Sequence, residues 1–395
     1  MQETTLYEQI LDLPDLQVQR VEYAHKKITV FGQIKTLEHP CPNCLKSTHQ
    51  VNQYTIRQVR DLDISGRQVW LYLQVRQFIC VDCNRYFSES IPFADAGKSY
   101  TRRQAKWIVE CCARQPFTEV GALLDVCPKT AERLYYHYVQ THLQLPTRYA
   151  HVKRLGIDEI AHRKGKGHYA CVLTDLDKGI ALDVLPSRSK ETLLAHFKRL
   201  GPKFCQQIES VSFDMWPAYY AVSKHCFPQA VLVIDRFHVV KLLNDVLDRL
   251  RRKLREEWPW KVAFKDIKWV LFKSKLTATE QTQLDAAFKQ STVLKAAVDL
   301  RNTFHSHFEN AVDSPALLGS LQTWISQALA LGYEGFSPFL TTLTNWLEPI
   351  SNFAHQRLTN AVTEGLNNVI RYVKRMSYGL PNFEHLRLRV LAQAI

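Results

Sequence analysis

Three carboxylates stand far apart in the chain, and each ends or heads a segment that could aim it at one spot. They are Asp158 in Leu155-Gly-Ile-Asp-Glu159, Asp214 in Val211-Ser-Phe-Asp-Met215, and Glu364 in Asn360-Ala-Val-Thr-Glu-Gly-Leu-Asn-Asn368. The two aspartates follow short apolar runs that read as buried strands, and the glutamate opens a two-sided helix. Hard divalent cations take oxygen ligands, and a pair of them held by carboxylates serves in-line displacement at phosphorus. Acids gathered from two strand ends and a helix therefore suggest phosphodiester chemistry on nucleic acid.

A second set of ligand-type residues precedes them. Cys41-Pro-Asn-Cys44 and Cys80-Val-Asp-Cys83 each form a knuckle offering two thiolates, and two knuckles complete a tetrahedral zinc site with no open position. The spacer holds an alternating strand, with Val69, Leu71, Leu73 and Val75 on one face, after turn residues Asp63-Ile-Ser-Gly66. This predicts a zinc ribbon whose hairpin returns Cys80 to Cys41. So small a module is expected to lack a core and to use zinc in its place. Arg57, Arg60, Arg67, Arg76 and Arg85 lie in or beside it and read either as a solvated face or as phosphate contacts.

The charge agrees with such a partner. Lys and Arg exceed Asp and Glu by 51 to 38, giving a formal +13, which often marks a nucleic-acid footprint. No apolar run reaches membrane-spanning length, and the acidic stretch Met1–Leu16 lacks the pattern of a secretory signal. A cytoplasmic, nucleoid-associated protein is the expectation, with Cys111, Cys112, Cys127, Cys171, Cys205 and Cys226 as reduced, packed thiols.

The elements that must position these groups follow from periodicity. Helices are expected over Arg102–Arg114 and Thr118–Leu124, then a turn at Asp125-Val-Cys-Pro128. A third helix carries Ala131, Leu134, Tyr135, Tyr138 and Val139 inward. This is a helix-turn-helix pattern, with Lys129, Thr130 and Arg133 at the start of the recognition helix as candidate DNA contacts; an ordinary three-helix bundle is the plain alternative. Strands are then expected at Leu155–Ile160, Tyr169–Thr174, Ile180–Leu185, Val211–Phe213 and Val231–Ile234, with a turn at Gly165-Lys-Gly167. Helices fall at Ser189–Leu200, Pro217–Cys226 and from Asp235 to about Glu257, the last with an inner stripe of Val240, Leu243, Leu247, Leu250 and Leu254.

The order is that of ribonuclease-H-like nucleases. A helix over Val362–Arg375 places Glu364, Asn368, Arg371 and Arg375 in one arc, with Leu366, Val369, Ile370 and Val373 opposite. A carboxylate beside guanidinium groups suits metal and phosphate together. The stretch between reads as an all-helical insertion, with Trp258, Trp260, Trp269, Phe272, Trp324 and Trp346 as core more than as stacking platforms. Asp235 and His238 are candidates to support the acids, against a helix cap and a packed histidine; Asn368 is a third candidate. Trp216 could stack on an unpaired base, with core packing the favoured reading.

Taken together the chain resembles the ISL3 family of insertion-sequence transposases, DDE enzymes with an N-terminal zinc ribbon and helix-turn-helix. The resemblance rests on the two C-x-x-C pairs, Arg85-Tyr-Phe-Ser-Glu89, Gly156-Ile-Asp-Glu159, Asp214-Met215 and Asp235-Arg-Phe-His-Val239. It is most specific at Thr363-Glu-Gly-Leu-Asn367, with Ile370, Lys374-Arg375, Gly379, Phe383 and Leu386-Arg-Leu-Arg-Val390. It implies a multidomain α+β chain: ribbon within 1–95, helix-turn-helix over 96–146, catalytic core over 147–257 and 349–395, and a helical insertion over 258–348. It implies Asp158, Asp214 and Glu364 as catalytic ligands of two Mg2+ or Mn2+ ions, Asp158 bridging them, beside one structural zinc on Cys41, Cys44, Cys80 and Cys83. Arg371, Lys374 and Arg375 would contact DNA. Terminal inverted repeats and target duplex are the implied partners, with a homodimer or higher oligomer on DNA, and a short tail present in relatives is expected to be missing after Ile395. A transposase-derived regulator that no longer cuts, or a ribonuclease-H-like nuclease without strand joining, are the alternatives.

Overall fold

A computed structural model describes residues 3–143, 145–162, 167–257, 267–273, 275–358, 361–377 and 382–394. Gly165, Trp258, Trp260, Asn360 and Gly379 lie outside the described residues. The chain divides into two compact units, residues 1–142 and 143–395.

In the first unit a helix, α1 (Glu3–Leu11), leads into β1 (Leu16–Ala24) and β2 (Lys27–Ile34). The short pair β3 (His39–Pro40) and β4 (Ser47–Thr48) precedes the long hairpin β5 (Val51–Ile64) and β6 (Arg67–Ile79), and β7 (Tyr86–Ser88) closes the sheet. The order is β1-β2-β6-β5 with β7 on β6. Ser65 and Gly66 alone separate Ile64 from its partner Arg67, and both have positive φ, as a two-residue hairpin turn of this hand requires. The expected strand face is present: Val69, Leu71, Leu73 and Val75 are all buried.

They do not stand alone, and here the expectation of a coreless ribbon fails. Leu11, Leu16, Val18, Ile28, Val30, Val59, Ile91 and Phe93 pack with them into one apolar cluster. The strands β1 and β2 supply that core, because their alternating residues face the same side as those of β6. Two of the five ribbon arginines are also internal. Arg76 bonds the buried Glu89 and two backbone carbonyls, and Arg60 bonds the Asp125 carbonyl and Asp63, so neither guanidinium is offered to phosphate.

The same unit holds three helices, α2 (Arg102–Arg114), α3 (Phe117–Leu124) and α4 (Pro128–His142). Thr101 caps α2 by accepting from Gln104 N. Asp125, in the left-handed region, ends α3. Inside α4 the buried side chains are Ala131, Tyr135, Tyr136 and Val139. Tyr136 thus replaces Tyr138 and Leu134 in the stripe, drawn in by Phe117, whose ring packs edge-on to both Tyr135 and Tyr136.

The second unit follows the expected strand pattern closely. A short helix, α5 (Leu145–Tyr149), precedes β8 (Arg154–Ala161), β9 (Tyr169–Asp175) and β10 (Ile180–Leu185). Next come α6 (Lys190–Leu200), an unforeseen short α7 (Pro202–Gln207), β11 (Ser210–Phe213), α8 (Pro217–Cys226), β12 (Val231–Ile234) and α9 (Arg236–Glu257). The sheet order is β10-β9-β8-β11-β12, antiparallel through β8 and parallel from β8 to β12. Helices cover both faces, which is why the strands are near-continuous apolar runs. Leu155, Ile157, Val211, Phe213 and Val233 pack with Leu193, Phe197, Tyr219, Leu243 and Leu247. Ile160, Val172 and Val184 pack with Ile370, Val373, Leu386 and Val390 from the helices Ala361–Met376 and Phe383–Leu391.

The described part of 258–348 is helical, chiefly Ala278–Gln290, Thr292–Asn310, Ser314–Ala330 and Ser337–Asn345. Of the aromatics expected in its core, Trp324 is buried and Phe272 and Trp346 are half-buried. Trp324 is fully buried and donates its indole N–H to the Leu300 carbonyl at 2.7 Å. Phe304, Phe308 and Leu321 join the cluster that backs the sheet. Trp269 is a largely exposed ring.

Candidate active site

Register positions the acids. Ile157 of β8 pairs with Phe213 of β11, and Phe213 pairs with Ile234 of β12. The next residue on each strand path is an aspartate: Asp158, Asp214 and Asp235. Three carboxylates thus follow aligned positions at the carboxyl ends of parallel pairs, neighbours at roughly the 4.8 Å strand spacing. Such ends are where open sheets bind ligands. Asp158 does not end its own strand, because β8 continues to Ala161 against β9.

Each acid is held differently. Asp158 is buried; Oδ1 accepts from Glu159 N and Oδ2 accepts from Asn367 Nδ2, both at 2.7 Å. Burial, and then the neighbouring Asp214, push its carboxyl up to about 7. Asp214 is partly exposed, with Oδ1 2.9 Å from His238 Nδ1. Asp235 is buried and accepts from Phe237 N through Oδ1, capping α9, while Oδ2 lies 3.4 Å from His238 Nδ1. The cap weighed for Asp235 is present, and its second oxygen approaches His238. Burial opposes a charge on His238, but the Asp214 and Asp235 carboxylates outweigh it and raise the imidazole to about 10.

Glu364 lies in the first turn of the helix Ala361–Met376 and is exposed. It lines one cleft of about 520 Å³ with Asp158, Asp214, Asp235 and His238. Lys241, Asn367, Arg371 and Lys374 share the walls. The buried stripe of this helix is Thr363, Asn367, Ile370 and Val373, so Val369 faces outward despite its apolar side chain. Asn368 is exposed and accepts from Arg371; its neighbour Asn367 is the residue that reaches an acid. Arg375 is exposed on the same helix and is not among the described cleft-lining residues. At the cleft edge Arg188 pairs with Glu159 at 2.6 Å and stacks over Tyr169 and Trp216. Trp216 is 38% exposed, so it is not the core ring expected.

The cysteines converge as the spacing predicts. Cys41 and Cys83 sulfurs lie 3.6 Å apart, Cys44 and Cys80 sulfurs 3.5 Å, and all four fall within 4.8 Å of one another. A tetrahedral zinc with bonds of about 2.3 Å sets its sulfurs roughly 3.7 Å apart, so this set fits that ion. Backbone N–H groups of Cys44 and Asn43 lower the Cys41 thiol to about 6, whereas burial and then the neighbouring sulfurs raise Cys83 to about 12.

Comparison with known proteins gives the family. Residues 155–390 match the sequence model of the ISL3 transposase family, and residues 38–83 match the zinc-finger of transposases IS204/IS1001/IS1096/IS1165. The chain belongs to the ISL3 transposase family. The transposase for insertion sequence element IS1001 of Bordetella parapertussis is 27% identical over 386 residues, covering 95% of this chain and 94% of that protein. The transposase for IS1557 of Mycobacterium tuberculosis, in strains CDC 1551 / Oshkosh and ATCC 25618 / H37Rv, is 25% identical over 358 residues, covering 82% and 78%. The ISL3 match takes in β9 to β12 and all of β8 but its first residue.

Lys129 and Arg133 are exposed at the start of α4, and Thr130 is half-buried beside them. Among the described residues no helix is long and apolar enough to cross a membrane.

Sequence reading missed Asn367, Lys241 and Glu159 as cleft residues. Asn367 carried a usable signal, since it sits four positions after Thr363 and three before Ile370, on one helical stripe.

Proposed function

We propose that this ISL3 transposase binds the terminal inverted repeats of its insertion sequence and catalyses metal-dependent cleavage and transfer of DNA strands. The observation that carries this reading is the cleft in which Asp158, Asp214 and Glu364, from two strands and a distant helix, share walls with Lys241, Arg371 and Lys374. The strand order, with parallel β8, β11 and β12 flanked by antiparallel β9 and β10, supports a ribonuclease-H-like core.

The carboxylates offer hard oxygen donors of the kind Mg2+ or Mn2+ takes, and two such ions would activate an attacking hydroxyl and stabilise the leaving oxygen. Asp158, Asp214 and Glu364 would hold them. Asn367 keeps Asp158 turned toward the cleft through its amide. Lys241, Arg371 and Lys374 would neutralise strand phosphates and set the backbone in line with the acids. Arg375, on the same helix, is assigned to flanking phosphates.

In the first unit, α2 to α4 support a helix-turn-helix, with Lys129, Thr130 and Arg133 reading or gripping the repeat. The four cysteines would hold a structural zinc. Two element ends must be joined, so a dimer or higher oligomer on DNA is the working assembly.

The deciding experiment incubates the chain with its own flanking DNA ends and magnesium and resolves the products on a denaturing gel. Asp158→Asn, Asp214→Asn and Glu364→Gln should each abolish cleavage and leave the DNA mobility shift unchanged. Cleavage that survives Asp214→Asn would sink the assignment. Cleavage without joined products would favour a nuclease.

A further inference from the structure

We propose that Asp214, Asp235 and His238 form a cation site of their own within the cleft, one that gives a bound ion a nitrogen ligand and so favours a first-row transition ion over Mg2+. The proposal deepens the reading of the cleft as a metal-dependent DNA-processing site, and its test reads the metal directly.

The three groups come together from two independent features. Register brings Asp235 beside Asp214, because Ile234 and Phe213 are paired and each is followed by its aspartate. The first turn of α9 then returns His238 over Asp235, three positions on. One ligand atom from each lies within 4.8 Å of the other two. His238 Nδ1 is 2.9 Å from Asp214 Oδ1 and 3.4 Å from Asp235 Oδ2.

Those separations fit ligands around one ion. Metal bonds of about 2.1 Å at octahedral or tetrahedral angles leave adjacent donors about 3.0–3.4 Å apart. A proton on His238 Nδ1, between the two carboxylates, holds the place a cation would take. His238 Nδ1 and Asp214 Oδ1 are both shielded from solvent, and neither makes a contact of hydrogen-bond geometry. Asp235 is fixed besides, its backbone N–H donating to the Phe213 carbonyl and its Oδ1 accepting from Phe237 N, which leaves Oδ2 for the site.

The site differs in kind from the one implied for Asp158, Asp214 and Glu364. Those are all carboxylates, suited to Mg2+. An imidazole among the donors shifts preference toward Mn2+, Co2+ or Zn2+. Asp214 is common to both sets, and its carboxylate neighbours Asp158 as well.

The probe is Mn2+ added to the full chain with its cysteine-bound zinc in place, followed by pulsed EPR for coupling to nitrogen. The wild type should show directly coordinated 14N. The coupling should vanish in His238→Asn, with Mn2+ affinity falling on the order of tenfold or more. It should persist in Glu364→Gln. Circular dichroism checks that His238→Asn is folded; where it is not, Asp235→Asn is titrated with Mn2+ instead, and a comparable loss supports the site while unchanged affinity overturns it. Bound Mn2+ without nitrogen coupling in the wild type, or coupling that survives in folded His238→Asn, also overturns it. Strand cleavage without nitrogen coupling would leave the transposase mechanism standing and remove this site. Nitrogen-coupled Mn2+ in a chain that never cuts would do the reverse.

Discussion

Asn367 donates its side-chain amide to Asp158 Oδ2 at 2.7 Å, joining the helix Ala361–Met376 to the middle of β8. Both partners are buried. The bond fixes one oxygen of the acid and at the same time pins the helix turn that carries Glu364. One contact therefore sets the relation between the first and third acids.

Replacing Asn367 by Ala should lower the DNA cleavage rate by roughly 10- to 100-fold, the usual effect of removing a group that orients a metal ligand. DNA affinity should not change, since the amide faces an acid and not solvent. Single-turnover cleavage and a mobility-shift titration on the same preparation separate the two. A rate within twofold of wild type would show that Asp158 is oriented without it.

This contact also shows where sequence reading stopped. The strands of the second unit were legible because burial on both faces writes them as apolar runs, and Asp158 and Asp214 stood out at the ends of those runs. Asn367 was not legible by hydrophobicity. The helix stripe was assigned from Leu366, Val369, Ile370 and Val373, but the helix crosses an acid, so the buried face contains Thr363 and Asn367 and excludes Val369. Asp235 was weighed evenly as a cap and as a support for the acids; only the pairing of β11 with β12 puts it in line with the other two aspartates. In the first unit, the sheet core from β1 and β2 was missed because nothing local pairs β2 with β6.

That core changes what zinc removal should do. The apolar cluster of the first sheet includes none of the four cysteines. Cys41→Ser should release the zinc, counted as loss of about one metal per chain. Hydrogen exchange should speed up in the knuckles and β3–β4, while β5 and β6 stay protected. Global loss of protection in the sheet would show that the metal, and not the core, holds this unit together.

Arg76 and Lys129 should respond oppositely. Arg76 binds Glu89 through Nε and Nη2 at 3.0 and 2.6 Å, and Glu89 Oε1 accepts from Arg76 N. Removing one partner of a buried pair strands the other, so Arg76→Ala should cost about 3–5 kcal/mol of stability. It should leave the salt dependence of DNA binding as it was. Lys129→Ala, on an exposed helix start, should cost little stability and reduce the slope of log affinity against log salt by about one. Denaturant titration and binding at several salt concentrations read both. A reduced salt slope in folded Arg76→Ala would put its guanidinium on DNA after all.

The second unit should carry a pH dependence at His196, which is not among the cleft-lining residues. Burial, and then Arg199 and Arg387, pull its imidazole down to about 4, while Asp183 works in the opposite direction. Nε2 lies 3.3 Å from the Tyr149 hydroxyl and Nδ1 lies 3.1 Å from Arg199 Nη2. An unfolded chain takes up this proton near the ordinary value of about 6.5. Between the two values the unfolded state binds more proton, so the stability from a neutral His196 is complete above about 6.5 and is lost as pH falls toward 4. At about 1.36 kcal/mol per unit, moving from pH 7 to pH 5 should cost about 2 kcal/mol from this group. His196→Gln cannot charge. Denaturant unfolding at both pH values should therefore show a smaller acid loss in the variant by about that amount, whatever its stability at pH 7. Equal losses in the two proteins would mean that His196 accepts a proton in the folded state.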